Sequence, residues 1–494
     1  MILTLIKLIM KLKNLKYLFL SMTLIVFNSC EEEDDETGMI VQEMVEITSG
    51  SADFTRVVSL GASITAGFTD NALFFAGQQN SYPNIMAGVM SQSIDNSAAT
   101  NFTQPYMDDN IGGLLFYGNQ ITSPRLYFNG AGPAVLPATP TTEITNFTPG
   151  PYSNLGVPGA QAVHLLAPGY GNLAGVPTGL ANPYFARMAS SPNASVLEDA
   201  MAQAPTFVTL WSGGNDALGY AVSGGTSELT DPDYFDFAFG STIGALAQVA
   251  PGGLVANIPD VTSIAYLNTV PYNAVPLDAG TAGALNGGFA PYNGGLAVAQ
   301  AFGLITAEEV AARTITFAEG QNAVTMVDEY LTDLSALGLP SYRQATMNDK
   351  VVLTAATFIG TSAGGPFDIN GVSVPLADNW VLSSDEVMET QTATAAFNAT
   401  IAALTSQYGW AFIDTHAVLN EAVTQGIQFD DYTMTGDLVF GGLFSLDGVH
   451  PTARGNALIA NKMMEAIDAQ YGSNLSDAAV KAGDYPTNYS PTMN

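Results

Sequence analysis

The amino-acid sequence predicts an α/β fold, in which a parallel sheet is covered by helices on both faces. Short apolar runs alternate with segments of helical pattern along the chain, which is typical of a buried parallel sheet. Most of these runs end at Gly, Pro or Asp, the residues that favour turns. The 494 residues are 47% hydrophobic, enough for a sizeable core. This length allows two or three domains, and we favour one domain with long insertions.

The chain begins with a segment that predicts export. Four lysines precede an apolar run over residues 17–27, which is followed by Asn28, Ser29 and Cys30. A basic segment, a short apolar run and a small residue describe a secretory signal. Because Cys follows the small residue, residues 1–29 resemble a bacterial lipoprotein signal peptide, with Cys30 as the lipidated first residue of the mature chain. An ordinary signal peptide with a free Cys nearby is the alternative.

Residues 30–54 are predicted to be the lipidated Cys and an acidic tether. Residues 31–36 are all acidic, and such a run of like charges is solvated. An acidic stretch beside the lipidated Cys resembles the signal for surface display in lipoproteins of the Bacteroidota. We therefore expect an exported protein that is attached to the outer membrane through the lipid anchor at Cys30 and exposed at the cell surface.

Five apolar runs are predicted to be the strands of the sheet, because each is short and bounded by turn residues. They cover residues 55–60, 152–159, 206–211, 253–257 and 410–414. Helices are predicted for residues 82–90, 195–202, 235–249, 384–408 and 451–471. Ser383 and Glu386 form an S-x-x-E capping box before the fourth helix, and Gly472 follows the last one.

The folded domain is predicted to cover residues 55–475. The alternation of strands and helices is interrupted at about residues 271–350 and 360–380, which we interpret as insertions. Residues 476–494 are expected to be a C-terminal tail. In open α/β sheets, ligands bind beyond the carboxyl ends of the strands, so the strand ends are the places to look for chemistry.

Three side chains could together form a nucleophilic site. Ser63 follows the first predicted strand, and Asp447 lies three residues before His450, with Gly448 between them. A Ser hydroxyl becomes a good nucleophile when an imidazole takes its proton, and a carboxylate fixes the tautomer of that imidazole. We expect Ser63 to attack, His450 to transfer protons and Asp447 to orient His450.

Attack on an ester also creates an oxyanion, which needs preorganised N–H donors. Gly159 follows the second predicted strand, and Asn215 follows the third. The backbone N–H groups of Ser63 and Gly159 and the side-chain amide of Asn215 could supply three such donors.

Taken in this order, the blocks around Ser63, Gly159, Asn215 and His450 resemble the SGNH hydrolase superfamily, also called GDSL esterases and lipases, and its large Bacteroidota lipoproteins in particular. The resemblance covers roughly residues 55–471. It implies a three-layer, flavodoxin-like fold and hydrolysis of carboxylic esters through an acyl-enzyme intermediate, without a metal or an organic cofactor.

The chain departs from that family at one position beside the nucleophile. The usual G-D-S is here Gly61-Ala62-Ser63, so a carboxylate next to the nucleophile is missing. A catalytically silent surface binding lipoprotein on the same fold is therefore an alternative to a serine esterase or lipase. A carbohydrate acetylesterase is another.

A second serine motif competes with Ser63. Residues 360–364 match the G-x-S-x-G nucleophile elbow, with Ser362 at its centre. That elbow requires a helix directly after it, whereas Gly365 and Pro366 follow here. We therefore expect a loop rather than an active site at Ser362.

The remaining histidines and a group of acids have structural interpretations. We expect His164 to pack near the core and His416 to cap or pack at a strand end. Asp231, Asp233 and Asp236 lack the full ligand series of a known calcium loop, so we interpret them as a solvated loop and a helix start. No metal site is expected from these residues.

The charge of the chain limits its partners. The sequence has 13 Lys and Arg against 45 Asp and Glu, a formal net charge of -32. Affinity for nucleic acid comes chiefly from Lys and Arg that neutralise phosphates, so nucleic acid is excluded as a partner. The expected substrate is a small-molecule or lipid ester, and Leu73, Phe74 and Phe75, close after Ser63, favour an apolar acyl chain.

Overall fold

Five parallel strands form the central sheet of the protein in this computed structural model, which describes residues 45–95, 101–148, 150–365 and 368–493. The strands are β1 (Val57–Gly61), β2 (Asn154–Gly156), β3 (Phe207–Trp211), β4 (Gly252–Ala256) and β5 (Ala411–Ile413). Each lies within a predicted run or one residue outside it. The α/β fold with a parallel sheet is therefore confirmed.

The order of the strands across the sheet is β2-β1-β3-β4-β5, and all neighbouring pairs are parallel. All residues of β1, β3 and β4 are buried, because helices cover both faces of such a sheet. The chain leaves β1 toward one edge and returns to β3 on the other side of β1. In doubly wound folds, this change of direction creates a crevice at the carboxyl ends of the two central strands.

Thirteen α-helices lie in the described part of the chain. They are α1 (Ser63–Ala66), α2 (Phe75–Gln79), α3 (Tyr82–Met90), α4 (Pro183–Ala186), α5 (Val196–Met201), α6 (Gly214–Val222), α7 (Pro232–Leu246), α8 (Ala265–Asn268), α9 (Ala279–Ala301), α10 (Ala307–Arg313), α11 (Ser384–Tyr408), α12 (Thr415–Thr424) and α13 (Ala453–Tyr471). All five predicted helices are present. The capping box before α11 is also confirmed, since Ser383 N–H donates to Glu386 Oε2 at 2.6 Å and Glu386 N–H donates to Ser383 Oγ at 3.4 Å.

The helices form two groups by their contacts. Helix α13 packs on α3, whereas α11 packs on α6 and α7, and α5 also packs on α7. Both α11 and α13 contact β5, so helices of both groups reach the sheet. The helices bury a core that includes Phe207, Phe235 and Phe397, each 0% exposed. Burial of such side chains is the main source of the fold's stability.

Smaller hairpins and 3₁₀ helices lie outside the central sheet. The antiparallel hairpins pair Leu114–Phe116 with Asn119–Thr122, Leu126–Phe128 with Pro133–Val135, Val275–Leu277 with Gly320–Asn322, Thr325–Val327 with Tyr342–Gln344, Lys350–Val351 with Val381–Leu382, and Ile427–Phe429 with Tyr432–Met434. The 3₁₀ helices are Ala162–Leu165, Leu173–Thr178, Val261–Ser263, Ser335–Leu337, Leu353–Thr357, Asp378–Trp380, Leu475–Ala478 and Ala482–Asp484.

The first predicted insertion has a small core of its own. Helices α9 and α10 and two of the hairpins lie within or against residues 271–350. Leu296, Ala299, Ile305, Leu334 and Leu339 form a buried cluster that is separate from the main core. The second insertion, residues 360–380, consists of turns, isolated bridges and one 3₁₀ helix in its described part.

Both ends of the folded unit extend beyond the predicted domain. The compact unit begins at Glu46 rather than at residue 55, because Ile47 and Phe54 are buried in the main core. At the other end, Tyr489 is buried against the ring of Phe74, with centroids 4.9 Å apart. The folded unit therefore begins before residue 55 and extends past residue 475.

The predicted signal peptide, the lipidated Cys30 and the acidic run at residues 31–36 lie outside the described residues. Within the described ranges, none of the helices has the length and apolarity needed to cross a membrane.

Candidate active site

Ser63 lies at the turn between β1 and α1. Strand β1 ends at Gly61, and Ser63 is the first residue of the four-residue helix α1, which is followed by Gly67 with a φ of 85°. Thr65 holds the short helix in place, because its Oγ1 lies 3.0 Å from the hydroxyl of Tyr82 and its carbonyl accepts from Asn154 Nδ2 at 2.8 Å. Ser63 is consequently fixed at the carboxyl edge of the sheet.

Two glycines allow the turn to pack this closely. A Cβ on Gly61 would lie 2.2 Å from Thr65 Oγ1, and a Cβ on Gly156 would lie 2.3 Å from the backbone nitrogen of Ala66. Neither distance is compatible with a side chain larger than hydrogen. Glycine at the end of β1 and at the end of β2 is therefore needed to bring α1 against the sheet.

His450 and Asp447 reach Ser63 from the loop before α13. His450 Nε2 lies 2.9 Å from Ser63 Oγ, and His450 Nδ1 lies 2.8 Å from Asp447 Oδ2. The imidazole also packs on the ring of Phe68, with centroids 4.7 Å apart. The three side chains that the sequence singled out for nucleophilic chemistry thus form one hydrogen-bonded chain, across 387 positions of sequence.

The carboxylate of Asp447 is enclosed by hydrogen-bond donors. Its Oδ1 accepts from the hydroxyl of Ser445 at 3.0 Å and from the backbone N–H groups of Val449 and His450 at 2.8 and 2.9 Å. Its Oδ2 accepts from the N–H of Asn71 at 2.8 Å as well as from His450. Burial by itself raises the pKa of Asp447, but the charge of His450 and these hydrogen bonds outweigh it and hold the pKa at about 2.

Asn215 lies in the first turn of α6, directly after β3. Its Nδ2 donates to the carbonyl of Ala160 at 2.9 Å, which fixes the amide and leaves its second N–H for another acceptor. Gly213, before the helix, has a φ of 107°, and a Cβ there would lie 2.7 Å from the ring of Phe235. Gly213 therefore permits the turn that places Asn215.

Gly159 lies in the loop that Asn215 contacts. It has a φ of 81°, the left-handed region that favours glycine, and it is exposed. Among the described residues, neither the N–H of Gly159 nor that of Ser63 has a hydrogen-bond acceptor. The loop is held to α6 by a buried acid, because Asp216 Oδ2 accepts from the N–H of Ala162 at 2.9 Å.

A small cavity of about 50 Å³ lies at the nucleophile. Ser63, Asn215 and His450 all line it, together with Ala62, Ile64, Trp211, Gly214, Leu218 and Val449. Gly159 is not among its lining residues. A second, almost wholly apolar cavity of about 80 Å³ shares Ile64, Trp211 and Val449 with the first, so the two cavities lie next to each other.

Several supporting residues were not found from the sequence. Asp70 binds the segment before Asp447 through two hydrogen bonds. Its N–H donates to Ser445 Oγ at 3.0 Å, and its Oδ1 accepts from the N–H of Leu446 at 3.0 Å. Both side chains are almost completely buried. The sequence shows that Ser445 is a polar residue two positions before Asp447, but it does not indicate that Ser445 binds Asp70, 375 positions away.

Leu73, Phe74 and Phe75 line neither of the two cavities. Leu73 and Phe74 are buried in two smaller hydrophobic clusters, and Phe75 packs on Tyr106. They therefore do not form the walls of either cavity, because their side chains are occupied in contacts with other parts of the protein.

The competing serine and the other histidines lie apart from this site. Ser362 is exposed and forms an isolated β-bridge with Ile369, and the described residues directly after it, 363–365, are not helical. His164 packs on Tyr170 in a parallel stack and accepts from the N–H of Gln161 at 3.0 Å; burial lowers its pKa. The N–H of His416 donates to Asn257 Oδ1 at 3.1 Å, at the start of α12.

The acids considered for calcium have another role. Asp231 caps α7 by accepting from the N–H groups of Asp233 and Tyr234. In the described part of the chain, one set of carboxylates does converge closely enough for a metal ion, and it consists of Glu329, Asp378 and Glu386. None of these three lines the cavity at Ser63.

Comparison of the chain with protein-family models, with curated proteins and with solved structures gives no match. The function must therefore be inferred from the residues and their geometry.

Proposed function

We propose that this protein is a serine esterase of the SGNH type, which hydrolyses neutral carboxylic esters through an acyl-enzyme intermediate. The observation that carries the proposal is the chain of two hydrogen bonds from Ser63 Oγ through His450 to Asp447, with lengths of 2.9 and 2.8 Å. The arrangement is that of nucleophile, base and orienting acid in hydrolytic triads. The order of strands and the position of Ser63 after β1 agree with the resemblance of the sequence blocks.

The first half of the reaction forms a covalent ester. Ser63 Oγ attacks the substrate carbonyl carbon while its proton passes to His450 Nε2. Collapse of the tetrahedral intermediate breaks the bond to the leaving alcohol, which takes the proton from His450. Water then attacks the acyl group on Ser63 with His450 again as base, and the acid is released with Ser63 restored.

Asp447 keeps its charge throughout this cycle. Because its pKa is held at about 2, it is a carboxylate at neutral pH and orients the protonated Nδ1 of His450. The imidazole therefore presents its unprotonated Nε2 to Ser63 in the resting state. This tautomer is the one that general-base catalysis requires.

The developing oxyanion would be stabilised by Ser63 N–H, Gly159 N–H and the free amide proton of Asn215. Asn215 lines the cavity at Ser63, and its bond to Ala160 ties it to the loop of Gly159. The N–H groups of Ser63 and Gly159 have no acceptor within the described residues. Donors that are fixed before the reaction stabilise a charge without reorganising.

The acyl group of the substrate is proposed to be apolar. The cavity beyond Ile64, Trp211 and Val449 is lined by side chains that include Leu419, Leu443 and Phe444, and such walls suit an acyl chain. Its volume of about 80 Å³ favours a chain of a few carbons. A carbohydrate acetylesterase is a second candidate, since the cavity of about 50 Å³ at Ser63 suits an acetyl group.

The export and anchoring of the protein remain part of the proposal. Residues 1–29 would be removed as a lipoprotein signal peptide, and Cys30 would carry the lipid that holds the enzyme at the outer membrane. The substrate would then be an ester that reaches the cell surface. The net charge of -32 disfavours anionic substrates.

The proposal can be tested with a fluorophosphonate probe and with p-nitrophenyl esters. The full-length protein, purified in a mild detergent, should be labelled on Ser63 and should hydrolyse short esters. Ser63→Ala should lose both properties, whereas Ser362→Ala, a change in an exposed serine, should keep both. Labelling can be located by mass spectrometry of the digested protein.

The outcome also separates the alternatives. A protein that folds but neither reacts with the probe nor hydrolyses any ester would be the silent binding lipoprotein. Activity on p-nitrophenyl acetate that falls steeply for butyrate and octanoate would favour the acetylesterase, and acetylated glycans should then be substrates. Loss of activity in Ser362→Ala but not in Ser63→Ala would overturn the assignment of the nucleophile.

A further inference from the structure

Three carboxylates converge at the junction of the first insertion with helix α11. Glu329 follows the strand Thr325–Val327, Asp378 begins the 3₁₀ helix Asp378–Trp380, and Glu386 lies in the first turn of α11. One carboxylate oxygen of each lies within 4.8 Å of those of the other two. The cluster is separate from the cavity at Ser63 and has no part in the proposed ester hydrolysis.

The second observation is a buried carboxylate oxygen without a partner. Glu386 is 0% exposed. Its Oε2 accepts from the N–H of Ser383 at 2.6 Å, whereas its Oε1 is buried and has no hydrogen-bond partner. An unpaired oxygen of this kind costs free energy unless another group binds it.

Neighbouring acids contact a positively charged group or a tyrosine hydroxyl. Asp328 pairs with Arg343 at 2.5 Å, and Glu389 accepts from the hydroxyl of Tyr220 at 2.7 Å. Within the described residues, no ion pair involves Glu329, Asp378 or Glu386. Among the described residues, no Lys, Arg or His therefore offsets the repulsion that these three groups would have when ionised.

We propose that Glu329, Asp378 and Glu386 bind a calcium ion. A cation between them would offset the repulsion of the ionised carboxylates, and the unpartnered Oε1 of Glu386 would be free to bind it. Calcium takes six to eight oxygen ligands and accepts irregular geometry, whereas magnesium demands a near-ideal octahedron. Water can complete the coordination on the side of Glu329, which is exposed.

The ion would join three separate segments of the chain. Glu329 belongs to the inserted residues 271–350, Asp378 to the second insertion and Glu386 to a helix that packs on α6 and α7 and contacts the central sheet. Binding to the folded state alone stabilises it by mass action. The expected consequence is that calcium raises the unfolding temperature and protects the junction from proteolysis.

Isothermal titration of the metal-free, full-length protein in detergent with CaCl₂ tests the proposal directly. We expect one ion per chain. Glu329→Gln is the first variant, because this exposed side chain can lose its charge with little effect on folding, and it should weaken calcium binding by about 10-fold or more. Glu319→Gln is the matched control, since Glu319 is an exposed acid of the same insertion outside the cluster.

Glu386→Gln and the unfolding temperature give a second measurement. Calcium should raise the unfolding temperature of the wild-type protein and of Glu319→Gln, and this rise should be lost in Glu386→Gln. The proposal is overturned if the wild-type protein binds no calcium, or if Glu329→Gln binds it as tightly as the control does. Tighter binding of MgCl₂ than of CaCl₂ would overturn the choice of ion.

Discussion

The backbone N–H of Asn71 donates a hydrogen bond to Oδ2 of Asp447 at 2.8 Å. The same oxygen faces Nδ1 of His450, so the segment that follows the nucleophile turn directly supports the acid of the triad. Ser445 adds a second link, since its hydroxyl donates to Asp447 and accepts from the N–H of Asp70. These contacts hold Asp447 in place although Ala62 provides no carboxylate beside Ser63.

Ser445→Ala tests whether this support matters for catalysis. The change removes a buried hydrogen bond to Asp447 and leaves the N–H of Asp70 without its acceptor. A lost bond of about 1–2 kcal/mol should lower kcat by roughly 5- to 30-fold with KM unchanged. Kinetics on a p-nitrophenyl ester measure this, and Ser445→Thr should restore part of the rate. Unchanged kcat in a folded Ser445→Ala protein would show that Asp447 is held by its other donors alone.

Asp447→Asn should inactivate the enzyme through the wrong tautomer of His450. The amide presents a donor where Nδ1–H needs an acceptor, so kcat should fall by roughly 10³- to 10⁴-fold. Because the pKa of Asp447 is held at about 2, its stabilising contribution is present above its ordinary pKa of 3.8 and is lost as the pH falls toward 2. In the wild-type protein, titration of Asp447 should therefore not limit activity at pH 5 or above, and a pH profile of kcat checks this. A profile in which an acidic limb near pH 5 disappears in Asp447→Asn would contradict the assignment.

Asn215→Ala tests the oxyanion site separately from the triad. Loss of one fixed donor should lower kcat by roughly 10²- to 10³-fold with little change in KM. Asn215→Asp keeps the shape but replaces the amide donor by a negative charge, so it should be at least as damaging. Circular dichroism should show both variants folded. A rise in KM without loss of kcat would indicate that Asn215 binds the ground state of the substrate instead.

Asp70→Asn should change how stability depends on pH. Burial raises the pKa of Asp70 to about 7 from its ordinary 3.8, and the nearby charge of Asp447 adds to this, although the N–H of Leu446 opposes it. The folded state therefore holds the proton more tightly than the unfolded chain does. The contribution of Asp70 to the free energy of unfolding is fully present below about pH 3.8 and is lost as the pH rises through about 7.

The consequence is a difference between variants that grows with pH. Between pH 4 and pH 8, the free energy of unfolding of the wild-type protein should fall by up to about 4 kcal/mol more than that of Asp70→Asn. Urea unfolding at a series of pH values measures this, with Glu319→Gln as a control for the loss of one negative charge. Parallel curves for wild type and Asp70→Asn would mean that Asp70 has the same pKa in the folded and the unfolded protein, which would contradict the raised pKa.

Local patterns were sufficient for the five strands of the central sheet, for five of the thirteen α-helices in the described part of the chain, and for most of the candidate site. The runs around β1, β3 and β4 are short, apolar and bounded by turn residues, because strands buried on both faces leave no room for polar alternation. Ser63, His450 and Asp447 could be selected because the chain has three His in all, and of these His450 has an acid three residues before it. The spacing of Asp447 and His450 is set by one turn and is therefore a local property as well.

Only the tertiary structure decided which distant groups complete the site. Asn71 and Asp447 are 376 positions apart, and no local pattern indicates that a backbone N–H will face a particular carboxylate. The two ends of the folded unit and the surroundings of Phe74 differ from the prediction for the same reason. Ile47, Tyr489 and Phe74 are buried by parts of the chain that are distant in sequence. Burial depends on how the whole chain packs and not on the neighbours of a residue in the sequence.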